Sequence, residues 1–238
     1  MVRLIPVSWD QKARFLKRPN RFLALARLEN QEADDALEIH VRDPGRLEEL
    51  LFPGNELLLR YAARPGRKTD WDLIAARCAD EWVLVNSGLH AAIAKAFLEN
   101  TAISPFGSPA SIKGEVRYGG SRLDFFISTA NDEKIYIEVK GCTLTREDTA
   151  LFPDAPTARG RRHLKELISI SRRGLRAAVL FLVFRSKSRV FRANRETDWK
   201  FAEALYTAHS SGVEIYPLLL EYRRGIIWYK SIIPVTFD

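Results

Sequence analysis

The Gly119-Gly120 pair, set between two alternating segments, constrains this chain more than any other feature. Two consecutive glycines suit a two-residue turn that needs positive φ, so residues 112–118 and 121–128 should fold back as a tight antiparallel hairpin. Tyr118 then faces Ser121, and by the same count Glu115 faces Asp124. A second turn centred near Asn131 returns the strand "KIYIEVK" (134–140), with Asp124 facing Glu138. Three carboxylates, Glu115, Asp124 and Glu138, are thus expected in a row across three strands. Ile112, Val116, Leu123, Phe125, Ile127, Ile135, Ile137 and Val139 make the opposite face apolar. Burial of that face fixes where the acids point, because a slip of one residue would exchange the two faces.

Like charges facing each other across strands are destabilising, so such a row needs protons, basic neighbours or a bound cation. Carboxylate oxygens, with water and one backbone carbonyl, suit Mg²⁺ or Mn²⁺. Lys140 lies two residues past Glu138 on the same face, placed to orient or deprotonate an attacking water, while a metal would stabilise charge on a phosphodiester. The competing reading is a solvated sheet face on which Arg117, Arg122 and Lys140 neutralise the acids.

Charge supports a polyanionic partner. The chain of 238 residues carries a formal net charge of +7, unevenly spread. Residues 1–27 hold seven Lys and Arg against Asp10 alone, 29–56 are strongly acidic, and 176–195 are basic without an acid. Such segregation is expected of a nucleic-acid partner, although solubility alone explains it as well. The opening residues lack a secretory apolar core, and the longest apolar run, "AAVLFLVF" (177–184), suits a buried strand rather than a membrane span. Two cysteines, Cys78 and Cys142, form no disulfide framework, which points to the cytoplasm.

The pattern changes near residue 82. Before it, candidate strands at 11–17, 21–28, 36–41, 55–61 and 70–77, with a short helix at 45–51, give the element order of an OB-fold barrel, a fold that commonly binds oligonucleotides. After it come a helix at 87–100 with Ser87 as its cap, the three strands of the acidic row, a helix at 157–173, a strand at 177–184, a helix at 198–210, and strands at 213–220 and 226–232. Two domains follow, 1–82 and 83–238.

Further candidates are basic. In "RFLKRPNRF", Arg14, Lys17, Arg18 and Arg21 interleave with Phe15 and Phe22, the parts of a single-strand binding surface, although both rings fit a barrel core as readily. The helix from 157 opens with Arg159, Arg161 and Arg162, unfavourable at a helix N-terminus unless an anion docks there. Arg159 and His163 share one face of it. A Walker-type loop, a Cys/His zinc cluster and a Ser-His-Asp set are all missing from the sequence.

Asp124 followed by Glu138-Val139-Lys140 resembles the signature of the PD-(D/E)xK nucleases. The segments "PNRFLALARLE", "PGRLEELLFPG", "RKTDWDLIAARCADEWVLVNSG", "SRLDFFI", "YIEVKGCTL", "ALFPDAPTARGRRHLKEL" and "GVEIYPLLL" together resemble the sugar fermentation stimulation protein family, SfsA, along essentially the whole chain. The resemblance implies an all-β OB-like barrel followed by an α/β restriction-endonuclease-like domain with a mixed sheet. It also implies sequence-nonspecific DNA binding and a role in regulating sugar (maltose) metabolism. It makes Asp124, Glu138 and Lys140 the nuclease-type triad, Glu115 an additional acid and the Val139 carbonyl a metal ligand, with Arg159 and His163 nearby. Where the family shows Asn-Thr-Gly-Arg this chain has "DPGRL", which keeps Gly45 and Arg46; "NSGLHAAI" departs from the family pattern as well. Arg46, Arg122 and Arg162 join the expected nucleic-acid contacts. The family's description favours a binding protein, whereas the intact triad favours an active Mg²⁺- or Mn²⁺-dependent nuclease.

Overall fold

The structure is a computed structural model that describes residues 1–29 and 36–237. Part of the acidic stretch, including Glu32, Asp34 and Asp35, lies outside them. The strands are β1 (Val2–Pro6), β2 (Gln11–Asn20), β3 (Leu23–Leu28), β4 (Leu37–His40), β5 (Glu56–Tyr61), β6 (Trp71–Cys78) and β7 (Glu81–Leu84). A 3-10 turn (Ser87–Leu89) leads into α1 (His90–Glu99). Then follow β8 (Pro109–Tyr118), β9 (Ser121–Thr129), β10 (Lys134–Cys142), β11 (Leu144–Arg146), β12 (Thr149–Phe152) and α2 (Ala158–Arg172). The chain ends with β13 (Arg176–Val183), β14 (Val190–Ala193), α3 (Trp199–Ser210), β15 (Glu214–Arg223), β16 (Ile226–Ile232) and β17 (Val235–Thr236).

Five strands close the N-terminal barrel in the order β4-β3-β2-β5-β6, with β4 returning to pair with β6. Closure removes the sheet edges that a five-stranded meander would otherwise expose. Alternation explains much of the interior: Ala13 and Phe15, and Ala24 and Ala26, are buried while their neighbours are more exposed, and β5 buries Leu57, Leu58 and Leu59 together. Phe15 is therefore core, whereas Phe22 is 51% exposed. The expected helix at 45–51 is instead one turn, with Leu50 and Leu51 N–H both donating to the Leu47 carbonyl. Leu47 has φ of 54°, a conformation that stops helix propagation while Leu47, Leu50 and Leu51 still reach the core.

The barrel's sheet continues through β7 into the second domain, in the order β7-β15-β13-β10-β9-β8. β10, β13 and β15 are mutually parallel, β8 and β9 antiparallel, so the sheet is mixed. The parallel pairs are joined by α2 and α3, the crossovers that parallel strands require. β13 is buried on both faces, as its unbroken apolar run anticipates. The helix at 87–100 starts where expected but is capped one residue earlier: Asn86, not Ser87, accepts from the Gly88 N–H, and Ser87–Leu89 form a 3-10 turn ahead of α1. Ser87 Oγ instead donates to the Arg42 carbonyl at 2.7 Å. Two features were not anticipated. β1 pairs with β16, far away in sequence, and a second sheet, β11-β12-β14-β17, is built of strands of two to four residues. Cys78 and Cys142 are both free. No helix among the described residues is long and apolar enough to cross a membrane.

Candidate metal and nucleic-acid site

The register derived from the glycine turn is the register observed: Tyr118 pairs with Ser121, Gly114 with Phe125 and Ile137 with Phe125. Pairing of β9 with β10 stops at that last pair, whereas β10 stays paired with β13 to Cys142. The two strands diverge where Asp124 and Glu138 would have faced each other. Val139 N–H has lost a ladder acceptor there, and Asp124 Oδ2 accepts from it at 2.7 Å. A side chain thus replaces the ladder bond and fixes the Asp124 carboxylate in the notch.

Glu138 stands beside it and is 2% exposed, so the solvated sheet face is not what forms. α2 covers this face, and its His163 places Nδ1 against Glu138 Oε1, which also accepts from Lys140 Nζ. Tyr118, Phe126 and Tyr136 form an edge-on aromatic row on the same side. Burial alone would raise the Glu138 pKa, but His163 and Lys140 outweigh it and hold the carboxyl below its ordinary value. Asp124 moves the other way: burial and the neighbouring Glu138 raise it, against the pull of the Val139 N–H and Lys140. Among the described residues Glu138 Oε2 is buried without a hydrogen-bond partner. A buried, anionic, unpartnered oxygen beside a second carboxylate is what a divalent cation would satisfy.

Glu115 does not join them. Its φ is 53°, in the left-handed region, and its side chain is 73% exposed and 3.4 Å from Arg122. The backbone twist at this one residue turns the carboxylate out of the row that the pairing register predicts. Consistent with this, no group of three or more His, Cys, Asp or Glu side chains suited to a metal occurs among the described residues. What remains is a two-carboxylate notch.

The basic residues divide into free and engaged. Arg18 turns inward, donating to the carbonyls of Gly45 at 2.7 Å, Arg46 at 2.6 Å, Arg21 at 2.7 Å and Asp43 at 3.0 Å. It clamps the 43–46 loop and is not available to a phosphate. Arg14 bonds Glu29 and Glu56, each at 3.0 Å. Arg161 is held by buried Asp198 at 2.5 Å, which resolves the adverse charge at the start of α2. Lys17, Arg21, Arg46, Arg159 and Arg162 are exposed, and Arg159 Nε lies 3.4 Å from His163 Nε2.

Sequence reasoning missed His90. Its ring stacks on Phe184 at 5.5 Å and fills the space beside Gly141, where an added Cβ would stand 2.2 Å from His90 Cε1. Only glycine fits there. Burial, then the Lys140 charge, lowers the His90 pKa to about 4, so the ring is neutral at pH 7. His90 lies far from residue 140 in sequence, and no spacing signals their contact.

Family models match both parts of the chain: the SfsA N-terminal OB domain over residues 16–85, and the sugar fermentation stimulation protein RE domain over 88–225. The chain belongs to the sugar fermentation stimulation protein (SfsA) family. A homologue from Methanococcoides burtonii is 41% identical over 99% of this chain and 96% of its own length. One from Methanothermobacter thermautotrophicus is 47% identical over 87% of this chain and 84% of its own. Among solved structures, Pyrococcus furiosus SfsA, described as a complex with Ca²⁺, superposes with a TM-score of 0.89 at 30% identity. The match covers 99% of this chain and all of that one. The OB barrel followed by a mixed-sheet domain is thus the SfsA architecture.

Proposed function

We propose that this SfsA-family chain binds nucleic acid, most readily DNA, in a cytoplasmic setting, and hydrolyses its phosphodiester bonds with Mg²⁺ or Mn²⁺ in the Asp124–Glu138 notch. The observation that carries this reading is Glu138: buried, ionised, and with Oε2 unpartnered among the described residues. Asp124 and Glu138 would hold the metal, with the Val139 carbonyl as a further oxygen donor. The Ca²⁺ complex of the Pyrococcus relative supports a hard cation in this family. When bound, such an ion supplies Lewis-acid stabilisation of charge growing on the phosphodiester oxygens.

The protein's own groups have separable tasks. Val139 N–H and His163 fix the two carboxylates, so little reorganisation is needed on binding. Lys140, 17% exposed, is placed to orient the attacking water and to compensate the developing negative charge. Arg159 and Arg162, exposed on the first turns of α2, are placed for flanking phosphates. One observation favours a second reading, in which the protein binds DNA without cleaving it. Glu138 Oε1 is already paired with Lys140 and hydrogen-bonded to His163, as a purely structural carboxylate would be. A regulator of sugar metabolism, as the family name describes, needs only that binding.

The test is cleavage of end-labelled single- and double-stranded DNA and RNA by the full chain, with Mg²⁺, Mn²⁺ or EDTA. Metal-dependent cleavage that falls at least ~100-fold in Lys140→Ala supports the nuclease. Wild-type protein that binds but cleaves nothing across the panel leaves the regulator.

A further inference from the structure

The barrel carries a second charged centre that the notch does not use. Register places His40 beside Asp72 across β4 and β6, and Arg60 beside Asp72 across β5 and β6. Arg42 reaches Asp72 from the segment after β4, and Arg67 from the loop between β5 and β6. Three guanidinium groups thus surround one carboxylate, at 2.7 Å for Arg67, 3.5 Å for Arg42 and 3.8 Å for Arg60. Asp72 is 1% exposed, whereas Arg42 and Arg60 keep about a third of their side-chain surface in solvent (37% and 33%). Asp72 is the only carboxylate within 4 Å of any of these arginines among the described residues.

One carboxylate is satisfied by one bidentate arginine; three leave a surplus of two positive charges. That surplus is costly to gather unless an anion uses it, and buried Asp72 acts as the post that fixes where the guanidinium forks point. The backbone beside the cluster is tied to the start of α1. The Arg42 carbonyl accepts from Ser87 Oγ at 2.7 Å, three residues before His90, whose ring lies on Gly141 next to Lys140.

We propose that Arg42 and Arg60, held in place by Asp72 together with the inward-turned Arg67, form a phosphodiester-binding site on the barrel that takes the backbone of a bound nucleic-acid strand. The site rests on the nucleic-acid reading above and replaces Arg14 and Arg18, which are engaged internally, as the barrel's main contact. It reads backbone charge and is indifferent to base sequence.

The experiment is fluorescence anisotropy of a 5′-fluorescein-labelled 20-nucleotide DNA, single-stranded and duplex, with the full chain in EDTA from 50 to 200 mM NaCl. Arg42→Gln/Arg60→Gln should reduce the slope of log K against log salt by about 1.4–1.8, some 0.7–0.9 for each lost phosphate contact. Arg42→Lys/Arg60→Lys should restore most of that slope. Arg60→Gln alone should remove about half of it and keeps the test readable if the pair is poorly folded, since its guanidinium is the farthest from Asp72. Lys187→Gln/Lys230→Gln, near Ser186 and beyond the opposite end of β6, removes the same charge and should leave the slope unchanged. A thermally intact Arg42→Gln/Arg60→Gln variant with a wild-type slope overturns the site, as does an equal loss in the Lys187/Lys230 control. Wild-type protein that binds neither oligonucleotide at 50 mM salt overturns the nucleic-acid reading itself.

Discussion

Two places in this protein gather carboxylates beside a cation, and they differ in kind. In the notch, Asp124 and Glu138 meet Lys140 and His163. Beside the 43–46 loop, Asp43 and Asp154 meet Arg18, and Glu49 lies near Asp154 and Arg185. Each cluster contains a buried glutamate oxygen with no partner among the described residues, Oε2 of Glu138 and Oε1 of Glu49. The pKa directions separate them. Burial raises the Glu49 pKa, whereas His163 and Lys140 hold that of Glu138 below its ordinary value. Burial likewise raises Asp43 to about 6, with Asp154 adding to it. These two acids serve backbone N–H groups, Asp43 taking Gly45 at 2.9 Å and Asp154 taking Arg46 at 2.8 Å. A carboxylate cluster is a site when its charge is retained and an acceptor is left over; otherwise it is scaffolding.

The largest effect expected from this contrast is at Arg18. Arg18→Ala removes four charge-assisted bonds to carbonyls and should cost roughly 3 kcal/mol by chemical denaturation. The salt slope of DNA binding should stay unchanged, and a lower slope would return Arg18 to the binding surface. Glu138→Gln should cost about 2 kcal/mol at pH 7, because Lys140 and His163 lose their common charged partner. A stabilised Glu138→Gln protein would instead mark the carboxylate as strained. Asp43→Asn is the smallest and has the opposite sign. The folded pKa of Asp43 lies above its unfolded value of 3.8, so its ionisation costs stability in full above about pH 6. The variant should gain roughly 1 kcal/mol at pH 8, after discounting for partial exposure, and the gain should fade as pH drops from 6 towards 4. Equal gains at pH 8 and pH 4.5 would contradict the assignment.

The sequence showed more of the notch than of the cluster beside the 43–46 loop. The Gly119-Gly120 turn and the turn near Asn131, with the alternation around them, set two hairpin registers and with them the faces of Asp124, Glu138 and Lys140, because turn type and side-chain period are local rules. Glu115 escaped the same rule, since its left-handed backbone breaks the alternation without shifting the register. Long-range contacts were invisible for a different reason. His90 on Gly141 and β1 on β16 depend on how elements dock, which no spacing encodes, and His163 was expected near Glu138 only through the family resemblance. Arg18 read as a surface cation because its position on β2 is legible but the loop carbonyls it turns towards are not. The strands of the small second sheet are too short to carry a periodic signal.

Calorimetric titration of Mn²⁺ into the full chain, beside Asp124→Asn, tests the central claim most directly. We expect one saturable site in the wild type, weakened at least tenfold in the variant, about 1.4 kcal/mol or more. Equal binding by both proteins, or none by the wild type at millimolar Mn²⁺, would contradict a cation site in the notch.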